Sequence, residues 1–166
     1  MLTIFQETAI TNDCPRNHVR LDIYSESGNY KGFVEGFNAR TAAGAAFIAG
    51  VIGSAQTAPA NYIALSTATL TPANADTVLP SEVTGTGLAR KAATYGSYSA
   101  PASLGATASY ALTATYANNT GGTVTIISAG CFTAISGGTM AFETNFGAST
   151  ALLVGDTVNV TWTFNV

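Results

Sequence analysis

The sequence predicts a mainly β protein: an antiparallel β-sandwich or jelly-roll-like body with one short helix and an N-terminal arm and hairpin. Three observations predict it. Along Asp156–Val166, Val158, Val160, Trp162, Phe164 and Val166 alternate with Thr157, Asn159, Thr161, Thr163 and Asn165. Successive side chains of a strand point to opposite faces, so this stretch has one apolar face and one Thr/Asn face, as in an antiparallel strand buried on one side. Turn signals recur at short intervals, at Asn118-Asn119-Thr120-Gly121-Gly122, Ser136-Gly137-Gly138 and Gly155-Asp156. Charged residues make up only 9% of the chain, against about 25% in an ordinary soluble domain. Thr, Gly and Ala take their place, which suits packed strands whose outer faces carry hydroxyls.

The elements follow in order. Met1 to Pro15 has no apolar period and carries Asn12, Asp13 and Pro15, so it reads as an arm. Val19, Leu21 and Ile23 then alternate with His18, Arg20, Asp22 and Tyr24. Turn residues Ser25 to Asn29 lead to a return strand, Tyr30 to Phe37, in which Gly32 and Gly36 mark bulges or close approaches. Asn38 is the expected N-cap of a helix over about 41–52, with Ala45, Ile48, Ala49 and Ile52 on its apolar face and Gly53 after it. Gly44 and Gly50 each weaken that helix by about 1 kcal/mol relative to Ala, for which close contact with another backbone would compensate.

Tyr62-Ile63-Ala64-Leu65 predicts a short buried strand. Ser66 to Gly87 is a long loop, and such loops commonly carry partner contacts. Leu88 to Tyr95 resumes as a strand, Tyr98 to Ala106 is a loop, and Tyr110 to Ala117 and Thr123 to Phe132 are strands. Met140, Phe142 and Phe146 fall on one face of another, with Gly147-Ala148-Ser149 as a turn before the last strand. The expected organisation is residues 1–37 as arm and hairpin and 38–166 as the body. Nine of the fifteen charged residues lie in positions 1–40, and none lies between Ala92 and Phe142.

Composition excludes several function classes. The net charge is -3 and the longest basic run is Arg90-Lys91, too little for the phosphate contacts on which nucleic-acid binding relies. The N-terminus lacks the basic region and apolar run of a secretory signal, and the tract Ala42–Ile52 is too short to span a bilayer. Synthesis in the cytoplasm and no membrane partner are therefore expected. Cys14 and Cys131 could pair, but two distant cysteines suit free thiols.

No catalytic set stands out, so no enzyme activity, cofactor or metal is expected. Cys14, His18 and Asp22 would share a face only on a helix, which Pro15 and the alternation after it oppose. Glu82 is placed to form an ion pair with Arg90 or Lys91. Trp162, in its row of Val and Phe, belongs to the core, as do Ile48, Ile52, Leu112, Phe142, Val160 and Phe164. Phe5 of the arm and Arg16, Arg20, Asp76, Glu82, Tyr95 and Tyr98 are the candidate partner contacts. Tyr95 and Tyr98 lie near loops, and Tyr is enriched in interfaces.

Four segments together resemble small virion structural proteins of tailed bacteriophages. They are Asn61 to Thr67, Leu79-Pro80-Ser81-Glu82 leading to Gly87-Leu88-Ala89-Arg90, Ala129 to Met140, and Gly155 to Trp162. With the preceding helix the likeness covers residues 38 to 166. It implies a β-rich module on the virus particle and brings no catalytic residues with it. The first expectation is a capsid decoration (cement) protein that binds the outside of the head, its partners being the major capsid protein and copies of itself in a homo-oligomer, for which a trimer is the expected form. The alternatives are a tail, baseplate or fibre component and, from a different class, a carbohydrate-binding module using Tyr95, Tyr98 or Trp162.

Overall fold

The structure, a computed structural model, describes residues 17–53, 59–73, 75–100 and 107–165. In chain order the elements are β1 (His18–Tyr24), β2 (Tyr30–Arg40), α1 (Ala42–Ile52), β3 (Tyr62–Ser66), β4 (Lys91–Ala92), β5 (Thr94–Ser99), β6 (Ser109–Ala117), β7 (Val124–Phe132), β8 (Met140–Leu152) and β9 (Thr157–Asn165). All neighbouring strands pair antiparallel, in the order β4-β3-β7-β8-β2-β1-β9-β6-β5.

The two ends of this sheet are one piece of chain. β4 pairs with β3 and β5 pairs with β6, and only Ala93 separates them. The sheet thus closes on itself at Lys91–Ser99. β2 makes the opposite corner: it pairs with β1 up to Phe37 and with β8 from Asn38. Strands that change partner in this way fold one sheet into two packed faces. One face is β5-β6-β9-β1-β2 and the other β2-β8-β7-β3-β4, so the expected β-sandwich is present in a nearly closed form.

The core lies between the faces. Trp162, Leu112, Val160, Phe164 and Phe142 are buried in it, with Val19, Leu21 and Ile23 of the hairpin in the same cluster. β1, paired with β2 on one side and β9 on the other, is an interior strand. The Tyr116 hydroxyl spans the core and donates to the Ile63 carbonyl at 2.7 Å.

Strands of the two faces are buried differently, which explains their sequences. A second cluster, Ala64, Leu70, Leu79, Phe132 and Met140, lies where the loop after β3 covers β3, β7 and β8. The Ser128 hydroxyl donates to Ala68 O at 2.7 Å, and the Leu70 N–H donates to Asn145 Oδ1 at 2.8 Å, fastening the loop down. Apolar cover on both sides removes the need for alternation. β9, β1 and β6 have one open face and alternate.

Several local expectations change. The N-cap of α1 is Thr41, not Asn38, which still pairs with Thr144 as part of β2. Thr41 Oγ1 accepts from Gly44 N at 2.9 Å and donates to Met140 O at 2.8 Å, so one side chain caps the helix and ties it to β8. Ile48 packs partly against the core, but Ile52 is 81% exposed. The helix is anchored at its first turn, and its last turn runs clear of the core. Leu88 precedes the β4 strand as a buried turn residue, and the segment predicted as one strand from there is broken at Ala93 by the change of partner. Gly147-Ala148-Ser149 is no turn. β8 runs through it, and the register with β7 shifts between Ile126 and Ser128 instead.

Candidate interaction surface

The register of β2, β1, β9 and β6 sorts side chains into two sets of cross-strand rows. Inward rows are Gly36–Val19–Trp162–Leu112 and Val34–Leu21–Val160–Ala114. Outward rows are Phe37–His18–Thr163–Ala111, Glu35–Arg20–Thr161–Thr113 and Phe33–Asp22–Asn159–Thr115. The outer face is therefore a pleat of hydroxyls and amides, with charge and two phenylalanines along its β1–β2 side. Thr115 Oγ1 lies 2.7 Å from Asn159 Oδ1 and holds one row together across strands.

Arg20 is fixed on this face. Its Nε and Nη2 donate to Asp22 Oδ1 at 3.0 and 2.9 Å, the Tyr30 hydroxyl donates to the same oxygen at 3.3 Å, and the guanidinium lies 3.8 Å from the Phe33 ring centre. The cation covers one face of Phe33, yet Phe33 and Phe37 stay about half exposed or more. Rigid aromatic groups on a flat sheet are good interface anchors, because they offer large contact area at little entropy cost. Exposed Phe on the charged side of a strand was readable in advance. Phe33 and Phe37 keep step with Lys31 and Glu35, while Gly32, Val34 and Gly36 take the other face.

The remaining candidates do not converge with Arg20. Tyr95 and Tyr98 lie on β5, at the far side of the same sheet from β2, and Tyr98 is 68% exposed. Asp76 and Glu82 belong to the loop over the other face. Glu82 is engaged by Arg90, whose Nη1 also donates to Ala134 O at 3.1 Å and Gly137 O at 2.7 Å and whose guanidinium sits 3.5 Å from the Phe132 ring centre. Phe5 and Arg16 lie outside the described residues. Trp162 is buried and so presents no ring to a sugar.

Three further polar sites have clear physical causes. Asp76 Oδ2 and Glu143 Oε1 both accept from the Ala73 N–H, at 2.8 and 3.2 Å. Burial, and then the Asp76 carboxyl beside it, pushes Glu143 up to about 7. Burial alone would raise the Asp156 carboxyl, but the Lys31 ammonium and the Leu153 N–H outweigh it and hold the group below its ordinary value. Burial pushes the Cys131 thiol up to about 12, so it is no nucleophile at neutral pH. Among the described residues no group of three His, Cys, Asp or Glu side chains is placed to hold a metal, and no helix is long and apolar enough to cross a membrane.

Two of the segments that carry the phage likeness meet in space. Glu82, Arg90, Phe132 and the turn at Ala134 and Gly137 form a single clamp beside β3. A family model, described as Podophage GP4 fiber I protein gp80, matches residues 39–163. No curated protein and no solved structure matches the chain.

Proposed function

The chain belongs to the family of podophage GP4 fiber I protein gp80, and on that premise we propose that this phage virion structural protein is a subunit of a fibre or tail assembly. The family match, over about three quarters of the chain, is the observation that carries this reading. A place on the head shell as a decoration protein, put first by the sequence pattern, has no comparable observation behind it. The proposed role is structural rather than catalytic: the nearly closed β-sandwich supplies a rigid block, and its outer face supplies the contact.

Copies of this chain, or a neighbouring fibre protein, would meet the face of β2, β1 and β9. Phe33 and Phe37 are its apolar anchors and the Thr/Asn rows its polar surround, the usual division between interface centre and rim. Charge on this face lies along its β1–β2 side, where Arg20 and Asp22 already pair with each other, so these two charges meet a partner already paired rather than lone.

Immunogold labelling of intact particles, with the copy number measured by quantitative mass spectrometry, tests the placement. The expected result is label at the tail, with a copy number far below that of the major shell protein. Label spread over the head surface would overturn the fibre reading in favour of decoration.

A further inference from the structure

The sheet closes through the chain and not through a ladder, which leaves β5 with one open edge. The Ala93 N–H donates to the Asn61 carbonyl at 2.7 Å, and beyond that bond β5 pairs only with β6 among the described residues. An open edge is a row of unpaired N–H and C=O groups, so the occupant it fits is another strand. Monomeric proteins guard such edges with Lys, Pro or a very short strand. β4, at the other end of the sheet, has two of these guards: it is two residues long and one of them is Lys91. β5 has six residues, Thr94-Tyr95-Gly96-Ser97-Tyr98-Ser99, with neither a charge nor a proline.

Three features point to which strand. First, the residue types of β5 read the same in both directions: hydroxyl, Tyr, small, small, Tyr, hydroxyl. Antiparallel pairing of this edge with its own copy sets Tyr95 opposite Tyr98 and Thr94 opposite Ser99, each twice, as a twofold axis requires. Aromatic pairs and Thr–Ser pairs are favourable cross-strand partners. Second, the register allows it. β5 shifts against β6 between Tyr95, opposite Leu112, and Tyr98, opposite Tyr110. Two residues there oppose one, a bulge that puts both tyrosines on the same side of the strand. In a regular strand, residues three apart point to opposite faces and these tyrosines could not meet. Both are open to solvent, at 55% and 68% exposure. Third, two copies of a chain with net charge -3 repel each other, and this edge brings no charges together.

We propose that β5 is a self-pairing edge, which joins two copies of this chain by antiparallel β5–β5 addition about a twofold axis. The tyrosine surface open to such a contact is about 250 Å² per copy, taking about 200 Å² for each whole residue. A standard interface buries about 800 Å² per partner, so the pair is weak in solution and forms best where copies are already held side by side. It is separate from the face of β2, β1 and β9, and it holds for a fibre or a head subunit alike.

Disulfide trapping in the full chain tests the register. In a Cys14→Ser background, the variants Thr94→Cys and Ser99→Cys are oxidised separately and as an equal mixture. Thiols at positions 94 and 99 of two paired copies are direct neighbours. Two thiols at 94, or two at 99, lie more than about 10 Å apart, too far to bridge. The mixture is expected to form covalent dimers about tenfold faster than either variant alone, as non-reducing gels and peptide mapping read it. Equal rates in all three samples, or no dimer in the mixture, would overturn the proposal. A charge series gives an independent reading, made in a Phe33→Ser, Phe37→Ser background so that the outer face takes no part. Thr94→Lys with Ser99→Lys sets like charges opposite each other and is expected to weaken association at least about tenfold in sedimentation equilibrium. Thr94→Lys with Ser99→Glu sets opposite charges there and is expected to restore it, with Trp162 fluorescence native in both. Equal association of these two variants would overturn self-pairing at β5 and leave the outer-face reading untouched.

Discussion

Arg90 and Glu82 meet in a two-point ion pair, Nε to Oε1 at 2.9 Å and Nη2 to Oε2 at 2.5 Å, at a site where the Arg90 side chain is only 9% exposed. The planar guanidinium suits this geometry because it also reaches two carbonyls of the β7–β8 turn and stacks on Phe132. Arg90→Ala strands the carboxylate and frees both the loop and the turn. A loss of about 3 kcal/mol is expected, the scale on which buried pairs break. Arg90→Lys keeps the charge but not the fork and should recover less than half of it. Urea midpoints at constant slope would measure both, and equal stability of the Lys variant and wild type would refute the two-point role.

Gly44 carries a second prediction. A Cβ at this position would lie 1.9 Å from the Ala141 carbonyl oxygen, so helix and β8 approach backbone to backbone. In an open helix Gly→Ala stabilises by about 1 kcal/mol. Here the clash should reverse the sign and cost about 2 kcal/mol or more, since overpacking against a backbone cannot be relieved by a rotamer change. Gly36→Ala should behave alike, its Cβ meeting Asn145 O at 1.9 Å. Thermal melts of the two variants check this, and a rise in Tm for Gly44→Ala would show that α1 does not sit against β8.

These two sites mark what was legible in the sequence and what was not. The alternation of β9 and of β1 announced strands with one open face, and those strands are where expected. β7 and β8 were harder, because cover by the loop after β3 makes both faces apolar and erases the period. The turn expected at Gly147–Ser149 failed for a related reason: β8 absorbs its irregularity as a register shift against β7, which glycine content alone does not reveal. Helix spacing put Ile52 with Ile48 on one face, but spacing says nothing about how far a helix extends past the core. Glu82 with Arg90 was legible as a pair of opposite charges across a loop. Lys31 with Asp156 was not, since 125 positions separate them.

Asp156 should govern the acid limb of stability. Its carboxylate accepts from Leu153 N at 2.9 Å and from Lys31, and its value in the folded chain lies below that of the unfolded chain. The stabilisation is therefore complete above about pH 4, the unfolded value, and is lost as pH falls through the lowered one. Asp156→Ala should cost about 2 kcal/mol at neutral pH, the scale for a buried group whose partners are left unpaired. The difference from wild type should shrink toward pH 2. Denaturant titrations across that range decide it, and a pH-independent difference would mean that the charge plays no part.

Phe33 and Phe37 separate folding from assembly. Both lie on the outer face, so Phe33→Ser with Phe37→Ser should change stability by no more than about 0.5 kcal/mol per site. Self-association, or incorporation into particles, should fall sharply if the face of β2, β1 and β9 is the contact. Analytical ultracentrifugation with complementation of a phage lacking the wild-type protein measures both. Normal incorporation of the double variant would move the contact elsewhere.

Glu143 predicts the opposite pH dependence from Asp156. Burial and the Asp76 carboxyl push it up to about 7 in the folded chain. A raised folded value means that the contribution is complete below about pH 4.3, the unfolded value, and is lost as pH rises through about 7. Above that pH the folded state must hold two adjacent carboxylates, both turned to the single Ala73 N–H. Glu143→Gln removes one of them without changing shape, so its Tm should stay nearly level between pH 5 and 8 where the wild type declines. The variant should be the more stable protein at pH 8, by on the order of 2 kcal/mol. Asp76→Asn should lower the Glu143 value, moving the wild-type decline to lower pH while making it shallower. Parallel melting profiles for wild type and Glu143→Gln would overturn the assignment, because the slope would then belong to another group.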